Sequence, residues 1–305
     1  MPRRDLALAM VVMLFWGANF VVIDVGLETV PPLLFAAIRY AVVALPALFL
    51  VPRPAMPWRH IALVGTFLSA GQMGLLYLGL HEGMPAGLAS LICQLQMVFT
   101  IAVAVALLGE RPAPRQLLGA AVALAGIVMI AVDRGGAGVP ALAFVFCIGA
   151  AASWGVGNVI TRVVRAPSAI GLLTWSSLVP PLPLAALSLA VDGPHAIGHA
   201  FAHWGVGATL STLYTVALCT WFGYGAWAWL LSRHPASHVA PFALLVPPVG
   251  LVTAWIARGE VPTPVELAGA AVVLVGLALL SLALGAPVRH GAATAAQAAT
   301  SPTTP

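Results

Sequence analysis

One residue in this chain carries a full charge deep inside an apolar run: Arg39, in the stretch PLLFAAIRYAVVAL. A guanidinium is always ionised, planar, and able to clasp a carboxylate through two parallel hydrogen bonds. It is the residue type expected where a small acid or zwitterion is held away from water. The competing reading is a structural arginine, whose head reaches toward headgroups or bonds backbone carbonyls freed near Pro or Gly. Both readings stand on the residues alone.

Neutral polar side chains in the other apolar runs supply the remaining candidates. Asn19 and Asn158 each follow a Trp-Gly pair, Trp16-Gly17 and Trp154-Gly155. Gln72 lies in a third run. Ser90 and Gln94 share a helix face at i, i+4, whereas Gln94 and Gln96 point about 200° apart. The spacing therefore assigns Ser90 and Gln94 to a cavity and leaves Gln96 as a bond between helices. Tyr224, flanked by Gly223 and Gly225, shares a face with Trp227. Trp229 reads as an interfacial residue and Trp175 as lipid-facing. Amides, hydroxyls and one guanidinium suit a zwitterionic ligand, so Asn19, Arg39, Gln72, Ser90, Gln94, Asn158 and Tyr224 are the predicted substrate-binding residues. The alternative is a packing network of interhelical bonds, worth about 0.6 kcal/mol each on average.

Other chemistry is poorly supported. His195, His199 and His203 would line one face of a helix and could hold a divalent cation there. Gly193, Pro194 and Gly198 argue against that helix, so no metal site is predicted. Cys93, Cys147 and Cys219 stand singly in apolar runs and read as small packing residues. The 13 basic residues are all arginine, which excludes a lysine nucleophile or a P-loop lysine. HExxH, GxSxG and G-x-G-x-x-G motifs are missing as well. The sequence therefore predicts neither an enzyme nor an ATP-driven pump, and no cofactor. A net charge of +4 over 305 residues is too small for a nucleic-acid binder.

The elements that position these residues follow from composition. The chain is 61% hydrophobic and 7% charged, with mean hydropathy +1.02, whereas soluble domains carry roughly 25% charged residues. A membrane helix needs about 20 mostly apolar residues. Breaking the chain at its charged, Pro and Gly clusters predicts an all-α membrane protein of ten such spans. They cover 5–25, 32–51, 59–80, 85–108, a short 115–132, 140–161, 168–190, 208–231, 236–257 and 264–285. Proline interrupts several, and VPPVG at 246–250 reads as a hinge. Ten arginines fall on the side of the N-terminus, and only Arg134 and Arg258 on the other. The positive-inside rule then makes both termini cytoplasmic in a bacterial inner membrane. The polar tail 286–305 reads as disordered.

The chain also resembles itself. RPAPRQLLGAAVALAG (111–126) matches VPTPVELAGAAVVLVG (261–276) at an offset of 150, which also pairs Gly109-Glu110 with Gly259-Glu260. The Trp-Gly pairs recur at an offset of 138. Two repeats of five spans, 5–132 and 140–285, must enter the membrane from opposite sides. Such inverted repeats characterise secondary transporters working by alternating access.

The runs LFWGANFVVIDVGLETVPPLLFAAIRY, GMPAGLASL, LLGER and RHPASHVAPFALLVP resemble the EamA-type drug/metabolite transporter superfamily. The resemblance implies two inverted five-helix EamA repeats over residues 3–285 and export of a small metabolite. FWGANFVVIDVGL, TWSSLVPPLPL and VAPFALLVPPVGL further resemble a branch of bacterial O-acetylserine and cysteine exporters, although Asp24 stands where that branch has a basic residue. The implied partners are an amino-acid-like substrate, the bilayer, and possible proton coupling. The residues identify no proton carrier at mid-membrane and no oligomeric state.

Overall fold

The computed structural model describes residues 1–136 and 138–284. Among these residues every regular element is helical. The long helices run in chain order as α1 (Arg3–Leu27), α2 (Pro32–Leu50), α3 (Trp58–His81), α4 (Ala86–Leu108) and α5 (Pro114–Gly136). They continue as α6 (Ala141–Val164), α7 (Ala169–Val191), α8 (Val206–Arg233), α9 (Ala236–Val239, Ala240–Leu245 and Val246–Arg258 in one run) and α10 (Pro264–Leu284). Nine are long and apolar enough to cross a membrane among the described residues; in α10 the apolar stretch so measured is Pro264–Leu280. The fifth helix is not short, as the sequence suggested: it runs through Asp133, whose carboxylate accepts from the Thr263 hydroxyl at 2.7 Å, to Gly136. The predicted tail lies outside the described residues.

Short connections make neighbouring helices antiparallel, and contacts at each end confirm the alternation. At the arginine-rich end the start of α1 meets the end of α8 through Asp5 and His234 (2.6 Å), and the ends of α4 and α6 meet through Glu110 and Arg162 (2.7 Å). At the opposite end Arg258 closing α9 pairs with Asp24 and Glu28 of α1, both at 2.6 Å. The two halves interlock, with α1 packed on α8 and α9 while α6 packs on α3 and α4.

Helix irregularities repeat between the halves. Wide π-helical turns occupy Gly65–Gly71 of α3 and Tyr214–Tyr224 of α8, and tight 3-10 turns occupy Cys93–Leu95 of α4 and Ala240–Leu245 of α9. Shifted by 150 residues, the first member of each pair falls within the second. The Trp-Gly pairs show why they recur. A Cβ on Gly17 would fall 2.5 Å from that of Val249, and one on Gly155 would fall 2.6 Å from that of Phe99. The partners Phe99 and Val249 are themselves 150 residues apart, so both halves use one close helix contact that only glycine permits. Helices α5 and α10 pair in the same way, Gly126 placing its backbone against Gly269 and Gly119 against Gly276.

Candidate functional site

Arg39 stands about 10 Å from the start of α2 at 1.5 Å per residue, and it is only 2% exposed. Its guanidinium donates to Met73 Sδ at 3.0 Å, Tyr77 Oη at 3.2 Å and Thr220 Oγ1 at 3.4 Å. Its Nε has no partner. The chain's nine Asp and Glu residues all stand near helix ends, so this buried cation has only neutral partners. That is an unfavourable place for a charge unless an anion joins it.

The wide turn of α8 helps build this nest. A π-helical turn re-aims side chains that an α-helix would carry past, and such turns recur at functional sites. Thr220 satisfies its own donor on the Thr215 carbonyl at 2.8 Å, five residues back, and presents its oxygen to Arg39. Tyr224, at the end of that turn, lies near the guanidinium as Tyr40 does, so three of the chain's four tyrosines (with Tyr77) surround Arg39. Tyr224 and Trp227 flank Trp16, with ring centroids 5.2 and 5.5 Å away. Trp16 donates to the Cys219 carbonyl at 3.0 Å, tying α1 to the same turn. The nest therefore joins α2, α3 and α8, with α1 behind it.

A second polar group lies between α4 and α6 and lines a cavity of about 260 Å³ open at the arginine-rich end. Asn158 Nδ2 donates to Gln96 Oε1 at 2.6 Å and Thr100 Oγ1 at 3.1 Å. Glu110, Arg111 and Arg162 line the mouth.

The predicted residues thus separate. Arg39 and Tyr224 come together, while Asn158 joins the cavity with Gln96. Asn19 is buried with its Oδ1 unpartnered, outside that cavity. Gln72 is buried on α3 beside Met73. Ser90 and Gln94 do not line the cavity. The Ser90 hydroxyl bonds the Gly87 carbonyl at 2.6 Å and packs against Gly250 in the α4–α9 seam. Gln94 Nε2 donates to the Ala243 carbonyl at 3.0 Å. Gln94 and Gln96 point to different faces of α4, as their spacing requires; the cavity lies on the Gln96 face, while the Gln94 face packs on α9. Met73, Tyr77, Thr220 and Thr100 were missed, although Thr100 is i+4 from Gln96.

Two smaller expectations also change. The segment Gly193–Ala202 is helical despite its glycines and proline, and His199 and His203 stack at 4.0 Å. Among the described residues no three or more His, Cys, Asp or Glu side chains come together in a way that could hold a metal ion. Trp175 donates to the Val51 carbonyl at 3.1 Å and packs on Trp58, so it joins helices rather than facing lipid alone.

The EamA-like transporter family matches residues 4–132 and 141–282. The chain belongs to this family. It is a multi-pass membrane transporter and not an enzyme. It is 40% identical over 282 residues to a Salmonella typhimurium protein named "Probable amino-acid metabolite efflux pump", covering 91% of this chain and 94% of that one. An Escherichia coli protein of the same name is 38% identical with the same coverage. A Streptantibioticus cattleyicolor "Probable terminal-alkyne amino-acid exporter" is 34% identical, covering 87% of this chain and 89% of its own. A solved crystal structure at 18% identity superposes with TM-score 0.62 over 96% of this chain and 100% of its own, so it shares the fold.

Proposed function

We propose that this transporter exports small amino-acid-like metabolites, with O-acetylserine and cysteine as its leading substrates, from the cytoplasm across the inner membrane. Transport proceeds by alternating access between two inverted five-helix repeats, α1–α5 and α6–α10, with α10 completing ten spans. The arginine-rich end, with both termini, faces the cytoplasm. The observation that carries the reading is Arg39, a fully buried guanidinium with neutral partners and a free Nε. A substrate carboxylate supplies the anion this nest lacks, and charge-assisted bonds to a guanidinium are the strong ones. The neighbouring tyrosines and Thr220 offer hydroxyls to the rest of a zwitterion. Substrate arrives through the cavity lined by Gln96, Thr100 and Asn158. The names of the Salmonella and Escherichia relatives support amino-acid export, and resemblance to the O-acetylserine and cysteine branch narrows the class.

The proposal includes no proton carrier, because no carboxylate stands at mid-membrane; transport down the substrate gradient suffices for export. Cells overproducing the chain are expected to release O-acetylserine or cysteine into the medium faster than cells making equal amounts of an Arg39→Met variant. Equal release from both, across a panel of amino acids, would overturn the proposal.

A further inference from the structure

Glu110 and Glu260 hold the same place in the two halves. Each follows the left-handed glycine that ends its helix, Gly109 (φ 64°) after α4 and Gly259 (φ 67°) after α9. They make different contacts. The Glu260 carboxylate spans the first turn of α4, accepting from the Ala86 amide at 3.0 Å and the Gly87 amide at 3.2 Å. A helix start leaves such amides unpaired and carries partial positive charge, so a carboxylate there is favoured. The residues 150 positions further on, Ala236 and Ser237, begin α9 at the arginine-rich end, where Glu110 is the matching carboxylate. Glu110 instead accepts from Arg162 at 2.7 Å, half-exposed at the cavity mouth.

Burial divides the same way. Residues 86–95 of α4 are all buried. In the matching stretch of α9 Val239 is buried, but His238, Ala240 and Pro241 are exposed and residues 242–245 are half-buried. One end of the bundle is closed, with Glu260 fastening α9 to α4 and Arg258 fastening α9 to α1. At the other end the matching carboxylate, Glu110, is held by Arg162 beside the cavity.

We infer that Glu260 and Glu110 are alternating gate latches: Glu260 holds the outer end shut in the inward-open state seen here, and Glu110 shuts the inner end by moving onto the Ala236 and Ser237 amides. The inference rests on the exporter reading for its orientation and its two states. One carboxylate–amide clasp is made as the other breaks, so the exchange is nearly balanced. Glu110 gives up only an exposed ion pair, which is worth little. Weakening one clasp therefore tips the equilibrium toward the state held by the other.

Two reporter cysteines test this in sealed vesicles of each orientation with a membrane-impermeant maleimide. Thr100→Cys reports the inner cavity, and Ala254→Cys, at a residue 1% exposed beside Gly87, reports the closed outer end. Glu260→Gln is expected to raise outer labelling at the expense of inner labelling, shifting their ratio by about tenfold, the weight of one charge-assisted hydrogen bond. Glu110→Gln shifts both rates the opposite way, and the double variant returns toward the unsubstituted ratio. A merely structural cap would raise both labels in Glu260→Gln and leave Glu110→Gln silent; that pattern overturns the latches. Glu110→Gln disturbs only an exposed contact of the present state, so it decides the matter even if Glu260→Gln fails to fold. Amino-acid counterflow through the unsubstituted protein separates the two claims. Active counterflow with unmoved labels rejects the latches and keeps the exporter. Opposed label shifts in protein that carries no amino acid keep the latches and reject the exporter.

Discussion

Arg39→Met separates a binding arginine from a structural one. The guanidinium makes three hydrogen bonds to neutral partners between 3.0 and 3.4 Å, and one of these is a weak sulfur acceptor. At about 1 kcal/mol net apiece, they contribute at most about 3 kcal/mol. Against them stands the cost of taking an unpaired cation out of water, several kcal/mol even after relaxation. Thr220 keeps its bond to the Thr215 carbonyl when the arginine goes, so Tyr77 is the main side chain to lose a partner. Exchanging buried ionic groups for apolar side chains of similar size is commonly neutral or stabilising by about 1–4 kcal/mol. The ligand-free variant is therefore expected to keep its Tm or gain a few degrees. Transport moves the other way. Loss of the carboxylate clasp removes about 3 kcal/mol, near a hundredfold in half-saturation concentration. Arg39→Lys keeps the charge but not the planar fork and falls between, about tenfold weaker. Thermal unfolding in detergent and counterflow in proteoliposomes read the two effects on the same preparations. A Tm several degrees lower with unchanged counterflow per folded molecule would make Arg39 a structural residue and refute the reasoning.

Asn158→Ala removes the amide that bridges Gln96 and Thr100 in the cavity wall; a rise of about three- to tenfold in half-saturation concentration is expected, the worth of one neutral bond to substrate, and unaltered transport would remove this wall from the substrate path. Gly126→Val places a side chain where a Cβ already lies 2.7 Å from the Gly269 carbonyl oxygen. Two backbones cannot yield as a side chain can, so a loss of about 2 kcal/mol or more is expected, and a Tm equal to that of the parent would contradict the α5–α10 seam. Cys93, Cys147 and Cys219, at most 2% exposed, are expected to ignore maleimide until the protein is denatured; rapid labelling of any one in the folded protein would contradict the packing around it.

The broad plan was legible because it rests on periodicities that the residues carry directly. Apolar runs, arginine asymmetry and the Trp-Gly and Gly-Glu echoes all point to interlocked repeats. Gly17 and Gly155 show the reason for one echo, since each must let a helix of the other half approach within van der Waals contact. What stayed hidden was which helix face meets which neighbour. Regular 100° steps separate Gln94 from Gln96 but do not say which face meets a cavity: Ser90 and Gln94 face the α4–α9 seam, and Gln96 meets Asn158. The wide turn in α8 delivers Thr220 and Tyr224 to Arg39, and its length shows only in backbone hydrogen bonding. Arg39 itself was legible, because a lone charge in an apolar run needs an explanation whatever the local geometry.

The central claim, export of amino-acid-like metabolites through the Arg39 nest, is tested most directly by counterflow in proteoliposomes loaded with unlabelled substrate. Labelled O-acetylserine or cysteine is expected to accumulate transiently and saturably in vesicles holding the protein, and to do so far less with Arg39→Met. Empty-vesicle rates for every member of an amino-acid panel, in correctly inserted and folded protein, would contradict the account.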